Sequence, residues 1–530
     1  MSQLIATIDC GTSSGRCIVF DMETGVQVSS AGKEWYPSQS SDIPGAFDFD
    51  TRRNWAVLCE CIKKSLQGIN PNEIKAVTAT GFRHGMFCID NAGKEIFACF
   101  NMDTRAGKEI EYLNNSGLSS QIYNIAGDWP GVHALPRLIW IKNNDPDLYS
   151  RIDKVLLASG WAVYRLCGAA AVEPGDASST VIMDIAKRQW SPQIIELCDL
   201  RTDIFPPVVD PGTVVGTVSK TIAGETGFSP GTPVTAGVAD TQAGLIGVGS
   251  RSAGESAIVA GTWWLDCCVL EKPYNDEQMR MRISCHSEPG QWICEGVGAL
   301  VGSTTRWFRD AFCEEEKKRA LEQGIDAYAL LDQKTLDVPA GSYGLQVLFS
   351  DIANQKYWKM APASFIGWDV LNTSRSHKGV FFKAILENAA YQVYGEYQRI
   401  KEITGLSPET VLLAGGAAHS RVWGQIIADV LGKAVRIPVV KEGTALGAAI
   451  YAAAGAGCYR NSAEAVSRLI KEESVFVPDM HNHEKYRNEF GRWRELYRMG
   501  LEMTEQGLAR SMWQAGGTLS KKQTENPWKL

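Results

Sequence analysis

The sequence predicts an α/β protein built by duplication: two domains of mixed strands and helices with a cleft between them. Three observations lead there. At 530 residues the chain exceeds what one hydrophobic core normally organises. A hairpin turning at Gly11-Thr12 recurs half a chain later at Gly261-Thr262. Apolar strands in both halves run through small residues into helix starts, as before Asp240 and after Gly415-Gly416.

The first hairpin is read from Leu4-Ile-Ala-Thr-Ile-Asp-Cys10, a polar turn over Gly11 to Gly15, and a return through Cys17-Ile-Val-Phe20. Its counterpart is Ser256 to Ala260, Gly261-Thr262, then Trp264 to Leu270. The small and polar run Gly247 to Gly254 reads as the connector, placing the boundary near residues 248–256. That gives a first domain over 1–250, a second over 251–515 and a polar tail over 516–530. Phe382 to Ile400 is predicted helical, and so is the stretch from about His483 to Trp513. There Tyr486, Phe490, Trp493, Tyr497 and Leu501 share one face as a packing stripe.

Composition excludes several classes. Hydrophobic residues at 45% and charged residues at 21% describe an ordinary globular chain. A net charge of -7 without a Lys/Arg cluster argues against nucleic acid as a partner. The 14 cysteines are too sparse for a disulfide scaffold, and Cys59 with Cys61 or Cys267 with Cys268 lack zinc-site spacing. The start has no basic segment ahead of an apolar one, and the most apolar stretch, Ala445 to Gly457, is short and rich in Ala and Gly. A cytoplasmic protein with no membrane partner is expected. A homodimer is compatible with these features, and no regulatory protein is read from them.

Four stretches carry chemistry. Asp9-Cys-Gly11-Thr12-Ser13-Ser-Gly-Arg16 ends a strand in a carboxylate and follows it with backbone N–H groups, hydroxyls and a cation, a set suited to phosphate and its Mg²⁺. Alone it is better read as an ordinary Asp-Gly hairpin; its echo at Gly261 and Thr262 favours a nucleotide held by both. Pro233 to Gly244 brings an apolar strand to Asp240, followed by Gln242 at a helix start. A phosphoryl acceptor needs a carboxylate to orient its hydroxyl and take the proton, and Asp240 is the candidate, a role compatible with capping the helix. Val411 to Ser420 opens a strand through Gly415, Gly416 and Ala417, where a flat purine could approach the backbone. The small-residue stretch Glu442 to Ala449 is expected to form a helix packed against that strand.

Taken together these residues resemble the FGGY carbohydrate kinases, from Ile5 to about Gly457. Asp9-x-Gly11-Thr12 is similar to the first phosphate motif and Gly261-Thr262 to the second. Gly415-Gly416-Ala417 with Trp423-x-Gln425-x-x-Ala428-Asp429 is similar to the adenosine motif. Pro136 to Ile141 resembles a family signature, with Arg137 where Lys is usual. The resemblance implies paired actin-like, ribonuclease-H-type domains with ATP and Mg²⁺ in the cleft. It also implies Asp240 as general base and Asp9, with Asp240, at the metal. Acceptor contacts are then expected from Arg83, His84, Asp103, Arg105, Asp240 and Gln242, groups whose donors and acceptors suit a polyol. Within the family, Thr305 to Cys313, Gly324-Ile-Asp326 and Ile437 to Glu442 look most like autoinducer-2 kinases. That branch implies a linear, hydrated dihydroxydione as acceptor. His84, which xylulose-type kinases share, keeps a pentulose or short polyol as the alternative. A non-catalytic sugar-binding protein of the same fold is a third reading, disfavoured by the presence of Asp9 and Asp240.

Overall fold

The computed structural model describes residues 3–40, 42–298, 300–349, 360–440 and 442–512. The expected tail over 516–530 lies outside the described residues. The chain divides into two compact units, and neither is a continuous segment. The first comprises Met1–Ala253, Val269–Ile293 and Val440–Lys471; the second comprises Gly254–Cys268, Cys294–Val439 and Glu472–Leu530.

The first unit is built on a seven-stranded sheet of β1 (Leu4–Cys10), β2 (Ser14–Asp21), β3 (Val26–Glu34), β4 (Ile74–Gly81), β5 (Val214–Thr217), β6 (Pro233–Thr235) and β7 (Val238–Ala239). The expected hairpin is β1–β2, with Asp9 directly opposite Arg16. On its other side β1 pairs in parallel with β4, and β4 takes β6 and β7 in parallel. Every residue of β1 is buried, as a central strand covered on both faces requires. One face is covered by a core that includes Leu58, Phe87 and Trp161. The other is covered by Ile246, Ala449 and Ile450.

That second face corrects one expectation. The small-residue helix spans Gly443–Gly455 and belongs to the first unit, where it packs on the helix Asp240–Val248 and on β1, not on the strand before Gly416. Glycines on the two helices draw them together. A Cβ on Gly247 would lie 1.8 Å from the Gly443 carbonyl oxygen, and one on Gly447 would lie 1.8 Å from that of Ala243. The Thr7 hydroxyl donates to the Ala445 carbonyl oxygen at 3.1 Å and ties the helix to β1.

The second unit repeats the plan. The hairpin β8 (Ser256–Ala260) and β9 (Trp264–Leu270) is flanked on the β9 side by β10 (Trp292–Gly298). On the other side β8 pairs in parallel with β11 (Thr410–Gly415), followed by β12 (Ala434–Pro438) and β13 (Glu472–Phe476). Each sheet thus sets an antiparallel hairpin beside parallel strands; the repeated turn predicts the two hairpins, not the parallel strands beside them. The two expected helices are present as Lys378–Thr404 and Met480–Glu505. The latter starts at the Asp479 cap, ahead of the expected His483, and its stripe Tyr486, Phe490, Trp493, Tyr497 and Leu501 is buried throughout. All fourteen cysteines are free thiols. Among the described residues no helix is long and apolar enough to cross a membrane.

Helix propensity alone favours Ala over Gly by about 1 kcal/mol inside a helix, so Gly247→Ala would stabilise an isolated helix. Here its Cβ meets backbone that cannot turn aside. We expect Gly247→Ala to cost about 1–3 kcal/mol and to lower the thermal midpoint; a raised midpoint would contradict the close packing.

Candidate active site

In the first unit, three strand ends converge. β1 ends at Asp9-Cys10, β4 ends at Gly81 and passes directly into Arg83 and His84, and β7 delivers Asp240 to the first turn of Asp240–Val248. β7 is held to the end of β4 through Val238 opposite Thr80 and Ala239 opposite Gly81. Parallel pairing therefore sets the Arg83 loop beside Asp240, and the Arg83 Nε lies 3.9 Å from Asp240 Oδ1. Asp240 Oδ1 also accepts from the Thr241 N–H at 2.6 Å and the Thr241 hydroxyl at 3.3 Å. Burial raises the Asp240 carboxyl above the usual carboxylate range, Arg83 opposes that rise, and Asp9 adds to it. Two-fifths of the side-chain surface still meets solvent, so the carboxylate is surrounded by protein but reachable.

Asp9 is paired. Arg16 Nε donates to its Oδ2 at 3.2 Å, with a second, shorter contact from Nη2, while Arg16 Nη1 reaches Glu442 Oε2 at 2.9 Å. Burial raises the Asp9 carboxyl and Arg16 counters it. Neither Asp9 Oδ1 nor Asp240 Oδ2 makes a hydrogen bond among the described residues. Each carboxylate therefore keeps one hard oxygen donor for a cation. Among the described residues no group of three or more His, Cys, Asp or Glu could hold a metal. Two carboxylate oxygens suit a cation whose other ligands are phosphate and water.

The Gly11 turn is fixed from outside. The Gly11 N–H donates to the Ser14 carbonyl at 2.9 Å, and Trp35 Nε1 donates to the Gly11 carbonyl at 3.0 Å. Asn101 Nδ2 donates to the Thr12 hydroxyl at 3.0 Å, joining this turn to the loop that carries Asp103 and Arg105.

The sequence expects Asp103, Arg105 and Gln242 to contact an acceptor directly, whereas the structure turns all three inward. Asp103 Oδ2 accepts from Arg105 Nη2 at 2.7 Å and from the Phe47 N–H at 2.7 Å, and Arg105 also pairs with Asp48. The Arg105 guanidinium lies 4.8 Å from the Phe97 ring centre. Gln242 is fully buried and donates to the Cys285 carbonyl at 3.2 Å. His84 is held in the left-handed region at φ 67°, uncommon for a residue with a Cβ. Its Nδ1–H donates to the Ser179 carbonyl at 3.1 Å, and its ring meets His133 edge-on at 4.6 Å. Burial pushes its pKa well below the ordinary imidazole value, with His133 adding to the effect, so the ring is neutral.

Three residues with work to do escaped the sequence reading. Arg137, noted there only as a departure from a signature, is buried; it donates to the carbonyls of His84, Asn101 and Asp103, the last at 2.8 Å. It clamps both loops. Glu173 caps the short helix Pro174–Ser178, accepts from Ser287 at 3.2 Å and from the Ala239 N–H at 3.4 Å, and so braces the residue before Asp240. Asp176, bonded to the Ser159 hydroxyl at 2.5 Å, is pushed well above the carboxylate range by burial, with Glu173 and Asp240 adding to it. The signal was the spacing Glu173-Pro-Gly-Asp176, which reads locally as no more than a helix cap.

The second unit contains a cavity of about 570 Å³ that brings together Gly261, Thr262, Gly416 and Ala417. Gly415 stands behind it at φ 89°, and a Cβ there would lie 2.5 Å from the Ala260 carbonyl oxygen, so only glycine lets β11 run so close to β8. Trp264 and Trp423 form one wall, their rings 4.8 Å apart. Asp332, also on the wall, is pushed up to about 6 by burial against the pull of the Ser420 hydroxyl. Thr305, Arg306 and Asp326, drawn from the stretches that look like autoinducer-2 kinases, line it too. Gln425 and Asp429 do not line it: Gln425 bonds Asp429 and the Val477 carbonyl, and Asp429 accepts from the Asp479 N–H at 2.8 Å, pinning the start of Met480–Glu505. The cavity is large enough for a small-molecule ligand, and its glycine-rich and aromatic walls suit a flat base.

Comparison with known proteins gives the family of the chain. Residues 4–247 match the N-terminal domain, and residues 256–456 the C-terminal domain, of the FGGY family of carbohydrate kinases. The chain is 37% identical over 518 residues to an autoinducer-2 kinase of Escherichia coli K12, covering 97% of each protein. It is 38% identical over 518 residues to one of Yersinia enterocolitica, covering 97% of this chain and 98% of that one. In fold it is similar to the crystal structure of xylulose kinase from Rhodospirillum rubrum, with TM-score 0.82 and 23% identity over 94% of this chain and 98% of that one.

Arg83 is the cation that opposes the burial of Asp240. Replacing it with Ala leaves burial less opposed, so the carboxyl should hold its proton to higher pH. In Arg83→Ala the acid limb of the pH profile of kcat/KM should move upward from its wild-type position, with weaker acceptor binding. An unmoved limb would show that Arg83 does not tune Asp240.

Proposed function

The chain belongs to the FGGY family of carbohydrate kinases, and on that premise we propose that it phosphorylates a terminal hydroxyl of the linear autoinducer-2 precursor, hydrated 4,5-dihydroxypentane-2,3-dione. The observation that carries the acceptor is the 37–38% identity to autoinducer-2 kinases across almost the whole chain. As a phosphotransferase with an alcohol acceptor, the family uses ATP.

In this reading Asp240 orients the acceptor hydroxyl and takes its proton as the new O–P bond forms. The bond from the γ-phosphorus to the β,γ-bridging oxygen breaks, and ADP leaves. A carboxylate raised by burial and restrained by Arg83 is poised for this, since its basicity rises without the loss of its charge. Arg83 and His84 meet the acceptor; a neutral His84 with its hydrogen on Nδ1 accepts at Nε2 without adding a net charge beside Arg83. Asp103, Arg105 and Gln242 act through position, holding the loops from behind. The glycine turns, Gly11 with Thr12, Ser13 and Arg16, and Gly261 with Thr262, take the phosphates, while Gly415, Gly416 and Ala417 take adenosine. Asp9 and Asp240 would hold Mg²⁺, which when bound neutralises charge on the transferring phosphates. We assign the enzyme to the cytoplasm, where ATP is available.

His84 supports a second acceptor class, a pentulose or short polyol, because xylulose-type kinases share it. The two readings separate in one assay of acceptor-dependent ADP formation over the autoinducer-2 precursor, xylulose, ribulose, erythritol and glycerol. We expect kcat/KM for the precursor to exceed the others by at least a hundredfold, a difference of about 2.7 kcal/mol in transition-state binding. Preference for a pentulose or polyol would overturn the acceptor and retain the kinase.

A further inference from the structure

A second concave site lies within the second unit, apart from the nucleotide cavity. It has a volume of about 420 Å³ and forms where the end of Lys378–Thr404 and the end of the helix Arg421–Leu431 meet the first turns of Met480–Glu505. Three cations line it, Lys401, Lys433 and Arg487, together with His483 and the hydroxyl-bearing Tyr394 and Ser407; no carboxylate does. None of the three cations forms an ion pair among the described residues.

Gathering like charges around a recess costs repulsion, and most long cationic side chains on a surface find a carboxylate nearby. Helix termini explain part of the cluster, since Lys401 sits in the last turn of its helix and Lys433 just beyond another, where cations are favoured. They do not explain Arg487, which lies in the first turns of its helix, where the sign of the helix dipole is wrong for a cation. His483 is turned to serve the recess. Its Nδ1–H donates to the Asp429 carbonyl at 2.9 Å, which fixes the ring and leaves Nε2 as its remaining polar atom. Gly432, at φ 63°, makes room for that ring: a Cβ there would lie 2.8 Å from it.

We propose that this recess binds a small phosphate monoester, with the phosphate held by Lys401, Lys433 and Arg487 and the ester's hydroxyls by Tyr394, Ser407 and Gln398. An Arg fork with two lysines matches a phosphate dianion, and 420 Å³ falls within the range of small-molecule sites. The hydroxyl-rich lining favours an ester with a polyol backbone over the bare anion. Occupancy would brace Lys378–Thr404, which packs on Arg421–Leu431 beside the nucleotide cavity, so the ligand is a candidate effector of nucleotide affinity.

The test uses the whole protein saturated with a non-hydrolysable ATP analogue, so that the nucleotide cavity is filled. Calorimetric titrations with glycerol 3-phosphate, inorganic phosphate and glycerol are compared between wild type and Lys401→Ala/Lys433→Ala/Arg487→Ala. The three side chains are outside the catalytic site and partly or fully exposed, so unchanged kinase turnover reports intact folding. We expect glycerol 3-phosphate to bind wild type, more tightly than inorganic phosphate, with glycerol not binding, and the triple variant to lose at least tenfold in affinity. Phosphate binding as tightly as the ester would overturn the assignment to a monoester. Ester binding undiminished in the variant, or absent from wild type, would overturn the site.

Discussion

Asp240 is pushed up by burial and held down by the Arg83 guanidinium 3.9 Å away, and most of the first unit can be read as the means of keeping those opposed effects in balance. A carboxylate buried with no cation would protonate and cease to act as a base; one fully hydrated beside an arginine would be too weak a base to help. The balance needs Arg83 close, and closeness is set by register: Ala239 opposite Gly81 brings the two strand ends level. Glu173, reaching the Ala239 N–H, and Arg137, bonded to the His84 carbonyl, secure the two sides of that junction from behind.

The helix that carries Asp240 is positioned by close packing between small residues. Its seam with Gly443–Gly455 has backbone against backbone at Gly247 and Gly447, which leaves little freedom for side-chain rearrangement. The same second helix is joined to β1 through Thr7 and Ala445, so the strand that ends in Asp9 and the helix that begins with Asp240 share one support. Substituting a glycine at this seam would therefore displace Asp9 and Asp240, which it never touches.

Much of this was legible in the sequence because the signals were local and repeated. The hairpins at Gly11-Thr12 and Gly261-Thr262 are tight turns between alternating apolar runs, and duplication made each evidence for the other. Gly261, Thr262, Gly416 and Ala417 do share a cavity. What remained hidden depends on long-range contact. No local pattern says that Glu442 to Ala449, more than four hundred residues from β1, packs on it; a small-residue helix fits any close neighbour equally well. Asp103 and Arg105 are polar residues on a loop, and polarity at that position reads the same whether the pair faces an acceptor or is enclosed by Phe47, Phe97 and Arg137. Glu173 and Asp176 look like a helix cap, which one of them is, and only the fold brings that cap to Asp240.

The account's central claim is that a buried, arginine-restrained Asp240 is the base for phosphoryl transfer. Its most direct test is Asp240→Asn, which keeps the size of the side chain and removes its basicity. Acceptor-dependent turnover should fall by about a hundredfold to ten-thousandfold, with acceptor binding measured by calorimetry changed little. Turnover close to wild type in that variant would contradict the claim and move the base elsewhere.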